Sequence, residues 1–235
     1  MRVVWTALAA VVALAGAEAP PLVGILAEEL ERNFVVLKQK GDPLPYYLAY
    51  SVIDQEVCGV AATLGALKTS QCDHNRVADV TVRVGSHKLD NYHRQPGERP
   101  RFAGRLPLPI EDRPAAIRRR LWLETDRVYR LAAETLVKLR ASREVKVADE
   151  DDSDDFSREE PAVYFDTPPR LRFTADEWAA RARKWSAEFS KHRSIITSQV
   201  AITARRELKI LVNTEGARLQ HCLLYTSPSP RDRQK

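Results

Sequence analysis

Leu22, Leu26, Leu30, Phe34 and Leu37 recur every three or four residues, the spacing that gathers apolar side chains on one face of a helix. Gly41 and Pro43 supply a stop, so a first amphipathic helix is predicted over Leu22–Lys40. Two runs rich in β-branched, aromatic and small residues follow, Tyr46–Ile53 and Val57–Leu67. The polar triplet Asp54-Gln55-Glu56 divides them, and together they predict a β-hairpin. Ala78, Val80, Val82 and Val84 alternate with Asp79, Thr81 and Arg83 up to Gly85, the period of a strand with one wet and one buried face.

Beyond a connection rich in Pro and Gly, from Gln95 to Pro109, Ile117, Leu121, Val128, Leu131, Leu136 and Leu139 predict a long helix over Pro114–Ala141. Thr174-Ala175-Asp176-Glu177 has the form of a capping box, with Phe173 and Trp178 placed as a hydrophobic staple. Trp178, Ala182, Trp185 and Phe189 then make one apolar stripe. Strand patterns close the chain: Ile196, Val200 and Ile202, a turn at Arg205-Arg206, then Leu208, Ile210 and Val212. Asn213-Thr214-Glu215-Gly216 makes a further turn before Ala217–Cys222. Helices and hairpin-connected strands in this order predict an α+β fold, a mainly antiparallel sheet packed with amphipathic helices, in one domain over 20–222.

The two ends read differently. Arg2, the apolar run Val3–Ala15 and the small-x-small pattern Ala17-Glu18-Ala19 predict a cleaved signal peptide over 1–19, hence a periplasmic or secreted protein. The run is too short for a stable membrane anchor, since a spanning helix needs about 20 apolar residues. At the other end 223–235 contains Thr226-Ser227-Pro228-Ser229-Pro230-Arg231-Asp232-Arg233-Gln234-Lys235, with no apolar residue. Its stretch Leu223–Asp232 resembles translated sequencing-adapter DNA. The expectation is a non-native, disordered tail on a chain that lost its remainder.

Composition adds bounds rather than an identity. With 44% hydrophobic and 29% charged residues the chain has the composition of an ordinary globular protein, and its formal net charge of +5 owes part of its excess to that tail. The remainder is too small and dispersed for a nucleic-acid footprint. Arg118-Arg119-Arg120 reads as a solvated helix face. The acidic run Asp149–Asp155 is expected, from the mutual repulsion of its charges, to lie in a mobile loop over 148–160; it lacks the glycine and terminal Glu of a calcium loop.

The chain has no phosphate loop, nucleophile elbow or His-Glu-x-x-His helix. His87, Asp90 and His93, with His74 and Cys72, form a loose set of metal-type side chains. His87 and His93 are expected to be water-facing loop histidines rather than ligands, so no catalytic, cofactor or metal site is assigned. Cys58 and Cys72 lie in or beside neighbouring strands, where either a disulfide or two separate small side chains fits.

Three passages, in this order, carry a resemblance: Tyr46-Tyr47-Leu48-Ala49-Tyr50-Ser51-Val52; Arg76 to Gly85 leading into Lys88-Leu89-Asp90-Asn91; and Leu211-Val212-Asn213-Thr214-Glu215-Gly216-Ala217-Arg218. Together they resemble the N-terminal domain of exported TldD/PmbA-type metallopeptidases, from Leu22 to Gln220. The resemblance implies a domain that helps enclose a peptide-cleaving site and takes part in a homo- or heterodimer. Zinc and its His-Glu-x-x-x-His motif would lie in a separate C-terminal domain missing from this chain, which is therefore expected to be inactive alone. The alternative is a stand-alone exported binding module.

Overall fold

In a computed structural model the described residues are 19–93, 104–143 and 153–234. The predicted signal peptide, except Ala19, and the core of the acidic run lie outside them. Three helices form where the 3.6-residue period predicts them: α1 (Pro21–Lys40), α2 (Pro114–Arg143) and α3 (Ala175–Ala187). Pro21 opens α1, where a missing N–H costs nothing. At the start of α3 Thr174 makes no side-chain cap bond, but Phe173 and Trp178 stack at 6.3 Å as a staple does. No helix among the described residues is long and apolar enough to cross a membrane.

The strands are longer than their hydrophobic pattern indicates. The predicted hairpin turning at Asp54-Gln55-Glu56 is instead one continuous strand, β1 (Pro45–Thr63). It turns at Leu64-Gly65, both at positive φ (47° and 89°), into β2 (Ala66–Val84). The polar triplet does not break β1 because its partners lie across the ladder: Asp54 pairs with Arg76, and Glu56 stands opposite both His74 and Arg206. Arg205-Arg206 likewise makes no turn. Both lie inside β5 (Ile195–Asn213), with Arg206 3.2 Å from Glu56.

After the turn at Asn213–Gly216, β6 (Arg218–Gln234) pairs antiparallel with β5 and, at its start, parallel with β4 (Val163–Phe165). With the two-residue β3 (Leu106–Pro107), the sheet among the described residues has the order β3-β2-β1-β5-β6-β4. The expected disordered tail thus differs from the structure, where the backbone of 223–234 continues β6. Pro228 and Pro230, two residues apart, share one parity on a strand whose outer side is an edge there, the position in which a sheet tolerates proline.

All three helices lie on one face of this sheet. Leu48, Tyr50 and Val52 of β1, flanked by Val80 and Val82 of β2 and Ile210 and Val212 of β5, floor a core roofed by α1 and α2. Burying each such side chain stabilises by about 1.5–3 kcal/mol. Farther along the same face Val60, Ala62, Val200 and Ile202 form a second, smaller core under Ala179 and Ala182 of α3. Trp185 departs from the predicted stripe: it is exposed, while Trp178 and Phe189 pack at the margin of that core. Between the two cores runs a polar strip carrying Asp54, Glu56, His74, Arg76 and Arg206.

The larger core contains a polar network. Tyr50, fully buried, accepts a hydrogen bond from Asn33 Nδ2 at 2.8 Å and shares another with Thr125 Oγ1 at 2.8 Å. Asn33 Nδ2 also donates to Glu29, whose buried carboxylate is gripped by Arg32. Burial pushes the Tyr50 hydroxyl up to about 12.

Candidate functional site

Gly85, at φ 106°, lets β2 end in a reversal that no residue bearing a Cβ adopts easily: a Cβ there would stand 2.5 Å from Leu89 O. The chain doubles back, and Asn91 fastens it by accepting from Val84 N (2.9 Å) and donating to Val82 O (3.2 Å). This reversal delivers Asp90 to the end of the sheet, where its side chain is fully buried.

A buried carboxylate requires compensating donors. Asp90 Oδ2 accepts from Tyr46 Oη and Arg83 Nη1, each at 2.5 Å, and Oδ1 accepts from Tyr92 N at 2.7 Å. The Arg83 guanidinium lies between two rings, 4.5 Å from Tyr92 and 4.0 Å from Phe156. Its Nε is buried and has no hydrogen-bond partner among the described residues. Burial, then the hydrogen bond to Asp90, raises the Tyr46 hydroxyl far above its ordinary value; burial likewise raises Tyr47 and Tyr92. These phenols remain protonated donors at neutral pH.

A second loop closes over the first. Asp155 Oδ2 accepts from Asp90 N at 2.9 Å, Asp155 Oδ1 lies 2.7 Å from His93 Nδ1, and Phe156 N donates to His87 O. Phe156 sits edge-on to Tyr47 at 4.8 Å, and the His87 ring lies 4.5 Å from Tyr46. The β5–β6 turn completes the group. Asn213 Nδ2 donates to Tyr47 Oη (3.4 Å), Thr214 N to Leu48 O (3.0 Å), and Leu48 N to Thr214 Oγ1 (3.1 Å).

His87 and His93 are therefore not the water-facing loop histidines expected from sequence; both are half-buried and engaged, because Asp155 and Phe156 fold back onto them. His74 and Cys72 do not join them. His74 Nε2 lies 2.6 Å from Asp54 Oδ1, on the polar strip, and Cys72 is bonded to Cys58 in a cross-strand disulfide. Arg76 shares that Asp54 and also donates to Pro109 O and Asp112, tying the approach to α2 onto the sheet. Arg118, expected to be solvated, ion-pairs with Glu28 of α1. Sequence reasoning missed Tyr46, Arg83, Asp155 and Phe156 as one cluster. The only local signal was Arg83 at the last polar position of the β2 alternation, two residues before Gly85.

Among the described residues no group of three or more His, Cys, Asp or Glu stands close enough to hold a metal ion. These described residues do not fit a zinc site, so no step through zinc is assigned to them. What the cluster offers is a set of fixed hydrogen-bond donors and ring faces, with Tyr92 on its outer surface.

No family model matches the chain, and no curated protein matches it. Solved structures do. TldE from Thermococcus kodakarensis is 12% identical, with 86% of this chain and 43% of that one covered at a TM-score of 0.44. A candidate modulator of DNA gyrase from Thermotoga maritima is 14% identical, with 87% and 41% covered at 0.40. Another from Bacteroides thetaiotaomicron is 9% identical, with 88% and 41% covered at 0.46. The chain spans about two fifths of the length of these structures, and what the geometry establishes by itself is an α+β domain with a mostly antiparallel six-stranded sheet.

Proposed function

We propose that this chain is an exported, non-catalytic domain of the TldD/PmbA type, which helps enclose a peptide-cleaving site and takes part in a dimer while zinc is held by a separate domain. One observation carries the reading. The three passages on which the resemblance rests are far apart in sequence, yet they bond to one another at one end of the sheet: the Tyr46 and Arg83 side chains to Asp90, Tyr47 to Asn213, and the Leu48 backbone N–H to the Thr214 hydroxyl. A group of buried donors, acceptors and aromatic rings shapes a fixed rim, and a fixed rim suits a domain that restricts access rather than one that performs the chemistry.

The test uses the purified chain, a fluorescein-labelled unstructured peptide and a quenched fluorogenic peptide. Expected are saturable binding by anisotropy, weakened by Arg83→Met, and no cleavage with or without added zinc. Zinc-dependent hydrolysis by this chain alone would overturn the non-catalytic role. Absence of peptide binding, or binding indifferent to Arg83→Met, would overturn the enclosing role of this rim.

A further inference from the structure

We infer that the Cys58–Cys72 bridge is a thiol–disulfide exchange site that admits an incoming small thiol at one sulfur only, Cys72. The two cysteines are directly opposite in the β1–β2 ladder, on the helix-bearing face but in the polar strip between the two cores. Cys72 is exposed and Cys58 half-buried. Exposure alone does not choose between the sulfurs, but sheet topology does.

Exchange proceeds by in-line attack: the thiolate approaches along the S–S axis from the side away from the sulfur that leaves. The bridge spans two neighbouring strands, so attack at Cys72 comes from beyond β2 and attack at Cys58 from the side of β5. Among the described residues the strand beyond β2 is β3, which pairs only with Val77 and Ala78 and leaves the edge at Cys72 open. On the other side β5 occupies the approach, with Ala204 opposite Cys58 and Arg206 one row away.

A monothiol such as glutathione, as its thiolate, attacks Cys72 Sγ; a new S–S bond forms there, the Cys58–Cys72 bond breaks, and its electron pair leaves on Cys58 Sγ, which takes up a proton. A second monothiol attacks the sulfur that the first contributed and displaces Cys72 as a thiolate. The two monothiols are thereby oxidised to their own disulfide while the protein bridge is reduced.

The experiment exposes the full chain, in a Cys222→Ser background that removes the third thiol, to reduced glutathione under native conditions. Acid quench, alkylation and peptide mapping by mass spectrometry locate the adduct. Expected is a glutathione adduct on Cys72 exceeding that on Cys58 by at least about tenfold, in line with access-controlled attack. Comparable adducts on both cysteines, an excess on Cys58, or a bridge that reacts only after urea is added would each overturn the inference.

Discussion

Removing Arg83 tests whether the rim is held by charge pairing or merely decorated with it. Arg83→Met keeps most of the aliphatic stem between Tyr92 and Phe156 but deletes the cation from both rings and one of three donors to Asp90. Breaking a buried pair by removing one partner costs about 3–5 kcal/mol, because the remaining charge has lost its compensation. Asp90 keeps Tyr46 Oη and Tyr92 N, and the Arg83 side chain is 15% exposed, so the lower end, about 3 kcal/mol, is expected. Asp90→Asn is expected to cost about 2 kcal/mol, since the amide oxygen still accepts while Arg83 loses its counter-charge. The double variant has no stranded charge and is expected to cost about 3 kcal/mol rather than about 5, a coupling of about 2 kcal/mol. Equilibrium urea unfolding followed by tryptophan fluorescence measures all four corners. Costs that add to within about 0.5 kcal/mol would refute the reasoning, because independent groups behave that way.

Three further outcomes follow from particular positions. Tyr50 has a folded value of about 12 against 10.0 unfolded, so the native state holds the phenolic proton more tightly; that stability is complete below pH 10 and lost as pH rises to about 12. Two units amount to about 3 kcal/mol, so Tyr50→Phe should flatten the fall in stability between pH 10 and 12 in urea melts, while stranding Asn33 and Thr125 should cost about 1–3 kcal/mol at neutral pH. Gly85→Ala puts a Cβ 2.5 Å from Leu89 O at φ 106° and should cost at least about 2 kcal/mol in thermal or urea unfolding. Replacing Cys58 and Cys72 together by serine removes a cross-link between residues 14 apart and should lower stability by about 3 kcal/mol, read from urea unfolding with the slope fitted separately for each protein.

The helices were legible because their apolar period is local: Leu22, Leu26 and Leu30 of α1 and Ile117, Leu121 and Leu136 of α2 all reach the larger core. The strands were legible in type but not in length. Asp54-Gln55-Glu56 and Arg205-Arg206 look like interruptions to any rule that reads neighbours along the chain, and they are not, since Asp54 is answered across the ladder by Arg76 and Glu56 by Arg206. The turn at Leu64-Gly65 was hidden for a related reason: its first residue takes a positive φ without being glycine or asparagine. The rim lay further out of reach. His87, Asp90 and His93 are grouped in sequence, but the groups that define them, Tyr46 and Asp155, are 44 residues before Asp90 and 62 after His93. Only the register of β1 on β2 and the return of the second loop bring them in.

The two ends of the sheet are held by different physics. Under α3 the contacts are apolar, Val60, Ala62, Val200 and Ile202 against small alanines, and apolar burial is non-directional. At the rim the chain places a buried aspartate, a guanidinium between rings and side chains that bond to backbone. Such groups are a poor route to stability, since well-packed apolar residues do as well or better than a buried ion pair. What hydrogen bonds and ion pairs supply instead is direction: Asp90 fixes Tyr46, Arg83 and Tyr92 at set angles, and Asp155 fixes the second loop to the first. If shape at the rim did not matter, an apolar plug would serve there as it does under α3. The use of directional groups at this end, and in the three passages that carry the resemblance, is why the rim rather than the polar strip is where we propose the contact with peptide.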